Sequence, residues 1–174
     1  MATKRFAFNK EPHTAEIGDE VVLKFHAEIY GDEFLEAYER LTQGFKRLGV
    51  DLGDLSGTDP QTLRATIRTL RGFLARLMLP ESAEAFARWV VVKGGKDLAV
   101  YSDPDEADEH LVREEGATLR DESLRLPDRI LVGLLEWSIE LYGGGSRPST
   151  SSTGSSRASQ PAGTPGRAPS RSRA

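Results

Sequence analysis

The sequence predicts a mainly α-helical domain with a small N-terminal β-hairpin, an α+β class, followed by a disordered tail. Three observations predict it. Val21, Leu23, Phe25, Ala27 and Ile29 alternate with Glu20, Val22, Lys24, His26 and Glu28 at the period of a half-buried strand. Several later stretches carry apolar residues at spacings of three and four, the period of a helix with one buried face. From Gly143 onward no large apolar residue occurs, leaving too little apolar area to offset the entropy of ordering that stretch. The 174 residues therefore divide into one folded domain, 1–142, and a Ser/Pro/Gly/Arg-rich tail, 143–174.

Taken in order, Gly18-Asp19 suits a tight turn that pairs residues 14–17 with 20–23. Phe6 and Phe8 also alternate, as a third short strand that Pro12 confines to an edge. Asp32 is placed to cap a helix that puts Phe34, Tyr38, Leu41, Phe45 and Leu48 on one face and stops at Gly49. Asp59-Pro60, a cap followed by proline at the first helical position, opens a second helix. Leu63, Ile67, Leu70, Leu74 and Leu77 form its apolar face, with Arg64, Arg68 and Arg71 on the opposite one. Pro80 breaks that helix and opens a third, through Ala83, Phe86, Ala87 and Val90.

The stretch 89–101 reads in two ways. Val90, Val91 and Val92 either close the preceding helix or start a hairpin across Gly94-Gly95, and the hairpin is the preferred reading. Asp103-Pro104 opens a short acidic helix with Ala107, Leu111 and Val112 as its apolar side and Gly116 as its stop. The last helix starts at Pro127-Asp128 and reaches Tyr142. Arg129, Gly133, Glu136 and Glu140 make one polar stripe on it, while Ile130, Leu131, Leu134, Leu135, Trp137, Ile139 and Leu141 cover the rest, with Trp137 expected in the core. No fixed-period repeat appears.

Charge and composition narrow the function classes. The net charge is −4 and the tail holds five arginines and no acid, so the body carries −9. An acidic body argues against a nucleic-acid surface, which needs clustered Lys and Arg, and the arginine tail reads first as a solvated linker. Cysteine is absent, which excludes disulfides and thiolate metal sites. No apolar run is long enough to cross a bilayer, and the first residues lack a signal peptide's apolar segment, so a cytoplasmic location is expected.

Catalytic patterns are missing as well. His13, His26 and His110 stand apart, with no His pair at metal-ligand spacing. The acidic run 103–109 fails as a calcium loop because Asp108 stands where glycine is required. Gly94-Gly95-Lys96 fails as a phosphate loop, with Val90 at the first glycine position and Asp97 where Ser or Thr should hold magnesium. No serine stands in a nucleophile elbow, and Glu136 and Glu140 read as a solvated stripe. The expectation is a binding protein without enzymatic activity, metal or cofactor.

Three blocks carry a resemblance. Leu79-Pro80-Glu81-Ser82 comes first, then Leu126-Pro127-Asp128-Arg129-Ile130-Leu131-Val132 through Leu135-Glu136-Trp137, then Gly143-Gly144-Gly145-Ser146-Arg147-Pro148 ahead of the tail. In that order they resemble the tail assembly chaperones of long-tailed actinobacterial phages, over most of residues 6–148. Residues about 89–123 fit less well and read as an insertion. The resemblance implies the short, pre-frameshift product of a gene pair whose longer form shares this N-terminal part. It further implies that both forms bind the tape measure protein and keep it soluble in the host cytoplasm, and that neither stays in the mature virion. Partners implied are the tape measure protein, the longer frameshift form and further copies of the chain, with no membrane. Ile130, Leu134, Trp137 and Leu141 on the last helix, with Leu70, Leu74 and Leu77 on the second, are the apolar residues such docking would use. The alternatives are a small head-tail connector or tail component of the virion and, behind it, an adaptor whose basic tail binds RNA.

Overall fold

The computed structural model describes residues 3, 5, 7–51 and 58–144. Its elements are β1 (His13–Ile17), β2 (Val21–Phe25), α1 (Gly31–Leu48), α2 (Pro60–Leu77), α3 (Pro80–Phe86), β3 (Trp89–Lys93), β4 (Lys96–Tyr101), α4 (Pro104–Arg113), β5 (Thr118–Asp121) and α5 (Asp128–Tyr142). The class is α+β: five helices and two antiparallel sheets among the described residues. The tail expected to be disordered lies outside them apart from Gly143 and Gly144.

β1 and β2 pair with Ile17 opposite Val21, so three residues turn the chain and the expected 14–17 to 20–23 pairing is displaced by one. The reason is facial. A two-residue turn would set Ile17 against Glu20, whereas the observed register joins apolar to apolar and keeps Leu23 and Phe25 buried beneath exposed Val22 and Lys24. β2 ends at Phe25, short of the alternation read to Ile29. Its free side is used by the link between α2 and α3: His26 N–H donates to the Leu77 carbonyl at 3.0 Å and Leu79 N–H to the Lys24 carbonyl at 2.9 Å. The third short strand expected at Phe6 and Phe8 does not form at Phe8. Phe8 lies outside any strand and is 76% exposed, and Phe6 falls outside the described residues.

α1 begins at Gly31 with Tyr30 at the cap position, so Asp32 is a first-turn residue beside Glu33 rather than the cap. Both carboxylates still favour the positive end of the helix dipole. α2 opens as expected, the Asp59 carboxylate accepting the N–H groups of Gln61 and Thr62 at 3.0 Å each. Arg71, expected on the exposed face, is buried, and its guanidinium donates to the Phe86 carbonyl at 3.2 Å over the Phe86 ring. α3 closes at Phe86, so Val90 belongs to the following strand and not to the helix.

The second sheet, in the order β4-β3-β5, contains the hairpin preferred for 89–101 and adds β5, so the fold is mixed α+β rather than mainly α with one small N-terminal hairpin. Gly94 at φ 58° and Gly95 at φ 78° supply the two positive angles of a tight hairpin turn between β3 and β4. β5 pairs with β3 through Trp89 opposite Asp121 and Val91 opposite Leu119. α4 is capped by Asp103, whose carboxylate accepts the Asp105 N–H at 2.9 Å. Ala107 is fully buried, but Val112, expected on the same apolar side, is 86% exposed. α4 lies so near α2 that a Cβ on Gly72 would fall 2.7 Å from the Pro104 ring, a separation only glycine allows.

α5 carries its polar stripe as expected, with Arg129, Gly133, Glu136 and Glu140 exposed and Leu131, Leu134, Leu135 and Ser138 buried. One core joins β2, α1, α2, α3, the start of β3 and α5. Among the described residues no helix is long and apolar enough to cross a membrane.

Candidate functional site

The residues expected to dock a partner separate into two groups. Leu70, Leu74, Leu77 and Leu134 are within the core, none more than 6% exposed, so the folded chain does not present them. Ile130, Trp137 and Leu141 are half-buried. Trp137 stands edge-on to Phe25 at 5.2 Å and to His13 at 6.4 Å, with part of its ring left at the surface. The apolar circumference of α5 is thus largely covered by its own domain, α2 above all.

A concave surface forms elsewhere. A groove of about 710 Å³ runs between α1 and α4 above α2. Leu41, Ala65 and Phe73 line its apolar floor, Arg40 and Arg47 stand on the α1 wall, and Arg68 and Arg76 rise from α2. The facing wall is acidic, from Asp103, Asp105, Asp108 and Glu109. Arg68 bridges to Asp108 at 2.6 Å and to the Pro104 carbonyl at 3.1 Å, while Arg76 holds Asp103 through Nε at 2.8 Å. Gly44 against Thr69 and Gly72 against Pro104 bring the walls close to α2, because neither contact has room for a side chain.

Sequence reasoning missed this groove. Arg40 and Arg47 lie seven apart and Arg68 and Arg76 eight apart, helical spacings that place each pair on one face, which was the signal available. What was not available was α4, which turns two such faces into a channel.

The groove suits a segment with an apolar side and charges of both signs. Its lining contains no Ser, Cys or His, and the Thr69 hydroxyl donates to the Ala65 carbonyl at 3.0 Å. Of the three histidines, His13 Nε2 is 3.1 Å from the Ala27 carbonyl, His110 Nδ1 is 2.8 Å from the Tyr101 hydroxyl, and His26 edges a separate cleft. Among the described residues no group of three His, Asp or Glu is gathered to hold a metal ion. Two perturbed groups brace the fold. Burial holds the Arg71 guanidinium below its ordinary pKa, and burial pushes the Tyr142 hydroxyl, bonded to the His26 carbonyl, upward.

Compared with family models, curated proteins and solved structures, the chain matches none. Its groove has the form of a binding surface, apolar below and charged at both rims.

Proposed function

We propose that this chain is the short, pre-frameshift form of a phage tail assembly chaperone, which binds the tape measure protein and keeps it soluble while the tail is built. The observation that carries the reading is the order of the three sequence blocks. Two of them lie at helix starts: Leu79-Pro80 opens α3 and Leu126-Pro127 opens α5. The groove supports a binding role, because an amphipathic helix can lay its apolar side on the part-exposed Leu48 and Ala65, over buried Leu41 and Phe73, while its flanks meet arginine on one wall and carboxylate on the other. Contacts of that generality fit a long helical client with many similar stripes. The acidic body keeps the loaded complex from associating further.

Co-expression tests the proposal. The tape measure protein is expected to be insoluble alone, soluble with this chain, and recovered with several copies of it. Reversing the groove with Leu48→Glu and Ala65→Glu, both part-exposed, should abolish recovery. If the tape measure protein stays insoluble with both forms of the chaperone present, or is equally soluble without them, the reading fails and the virion connector replaces it.

A further inference from the structure

A second concavity, of about 470 Å³, lies at the N-terminal end of α1, floored by Ile29, Ala37 and Leu77. Glu28, Glu33 and Glu36 are on its rim together with Arg40 and Arg76. The two arginines are engaged, Arg40 with Glu36 and Arg76 with Asp103. Glu28 accepts only the Asn9 N–H, at 2.7 Å, and among the described residues neither Glu28 nor Glu33 has a cation within ion-pair distance. Beside them the ring of Tyr30 is 72% exposed, a large aromatic surface that nothing in the fold explains.

The end of α5 comes to this cleft. Tyr142 donates its hydroxyl proton to the carbonyl of His26, a residue of the cleft wall, and its ring lies 6.0 Å from that of Phe34, the neighbour of Glu33. The end of α5 is thus tied to the wall of the cleft whose rim carries Glu28 and Glu33. Beyond Gly144 the chain presents Gly145, Ser146 and Arg147, the first cation of a tail with five arginines and no acid. Three residues span about 10 Å when extended, and the arginine side chain adds to that reach.

We propose that the tail docks in cis on this cleft, with the Arg147 guanidinium between the Glu28 and Glu33 carboxylates and against the Tyr30 ring. Charge complementarity, the place where α5 ends and the bare aromatic each point to the same occupant. Guanidinium suits the site better than ammonium, because its plane stacks on tyrosine while its edge serves two carboxylates. Tethering makes a modest intrinsic affinity sufficient, since a short linker holds the ligand at roughly millimolar effective concentration. The sequence expectation of a disordered tail would then fail only for its first few residues.

The chain has no cysteine, so Ser149→Cys gives a single attachment point for a nitroxide label on the full-length protein. In the nitrogen-15 spectrum, the amides of Tyr30, Glu33 and Leu35 should lose most of their intensity, and recover at high salt, where screening shortens to a few ångströms. Arg147→Glu should abolish the loss, and Arg147→Glu with Glu33→Arg should restore it. Uniform broadening, or broadening strongest on the acidic α4, overturns the proposal. So does persistence in Arg147→Glu. A last sample mixes spin-labelled chain without nitrogen-15 and nitrogen-15 chain without the spin label. Broadening there means the tail reaches a second copy, and that too overturns docking in cis.

Discussion

Around β2, α1, α2, α3 and α5 the contacts are carbon on carbon: Phe25, Leu74 and Phe86 are completely buried, and Phe34 stacks on Tyr38 with Phe73 edge-on to both. Around β3, β4, α4 and β5 the picture changes. Apart from Arg40–Glu36, every ion pair among the described residues touches this second region or its flanks. One chain of charges runs Asp97–Arg120–Glu122–Arg88, and in it Arg120, opposite Val90 on β5, reaches across β3 to Asp97, opposite Val92 on β4. Another fastens α4 to α2 through Arg68 and Arg76. The first region is held by removal of apolar area from water, which responds weakly to salt and pH. The second adds to the buried Trp89, Val90 and Val91 of β3 a set of charge pairs, mostly exposed, each exposed pair contributing about 0–1 kcal/mol and weakened by both.

The largest effect should come from the burial-held side. Phe25→Ala removes a fully buried ring packed against Trp137 and should destabilise the chain by about 3–5 kcal/mol, seen as a large fall in melting temperature. A fall of only a few degrees would erase the distinction between the regions. Next comes the joint between them: Asp103→Ala deletes both the cap of α4 and the carboxylate that holds Arg76, for about 1–2 kcal/mol. Hydrogen exchange should then show faster amides in α4 and unchanged ones in β2.

Acid should separate the regions more gently. Hydrogen bonds from Arg88 and then Arg120 hold the Glu122 carboxyl below its ordinary value. A carboxyl depressed in the folded state contributes stability that is complete above the ordinary carboxylate range and is lost as pH falls through the depressed value. Amides of β4 and β5 should therefore lose protection on acidification before those of β2, and simultaneous loss would count against the comparison. The smallest effect is expected at Val112→Ser, within about 0.5 kcal/mol in thermal or chemical unfolding, because the side chain is 86% exposed.

What the sequence disclosed follows the same division. All five helices were legible, because apolar periodicity, Asp59-Pro60, Asp103-Pro104 and the two Leu-Pro breaks are local signals. β5 was not. It is four residues long, three of them polar, and it exists because β3 offers it a free edge. Arg71 was misplaced for a related reason: its spacing matched Arg64 and Arg68, but α3 and the link to β3 close over it. Of the docking residues, the four now in the core were picked by hydrophobicity, which marks burial far more often than recognition. The groove required two helices from one part of the chain and a third from another, a relation that no window of sequence contains.

The bond from Tyr142 to the His26 carbonyl joins positions 116 residues apart. A ribosome adding roughly 5–20 residues per second makes the first hairpin on the order of ten seconds before the residue that pins it. Until α5 is made, Phe25, Phe34 and, once added, Leu74 lack the helix that later covers them, and the nascent chain is itself in need of the shielding proposed for its client. Slowing translation between α2 and α5 should lengthen that exposure, making the yield of folded protein depend on the codons of the intervening segment.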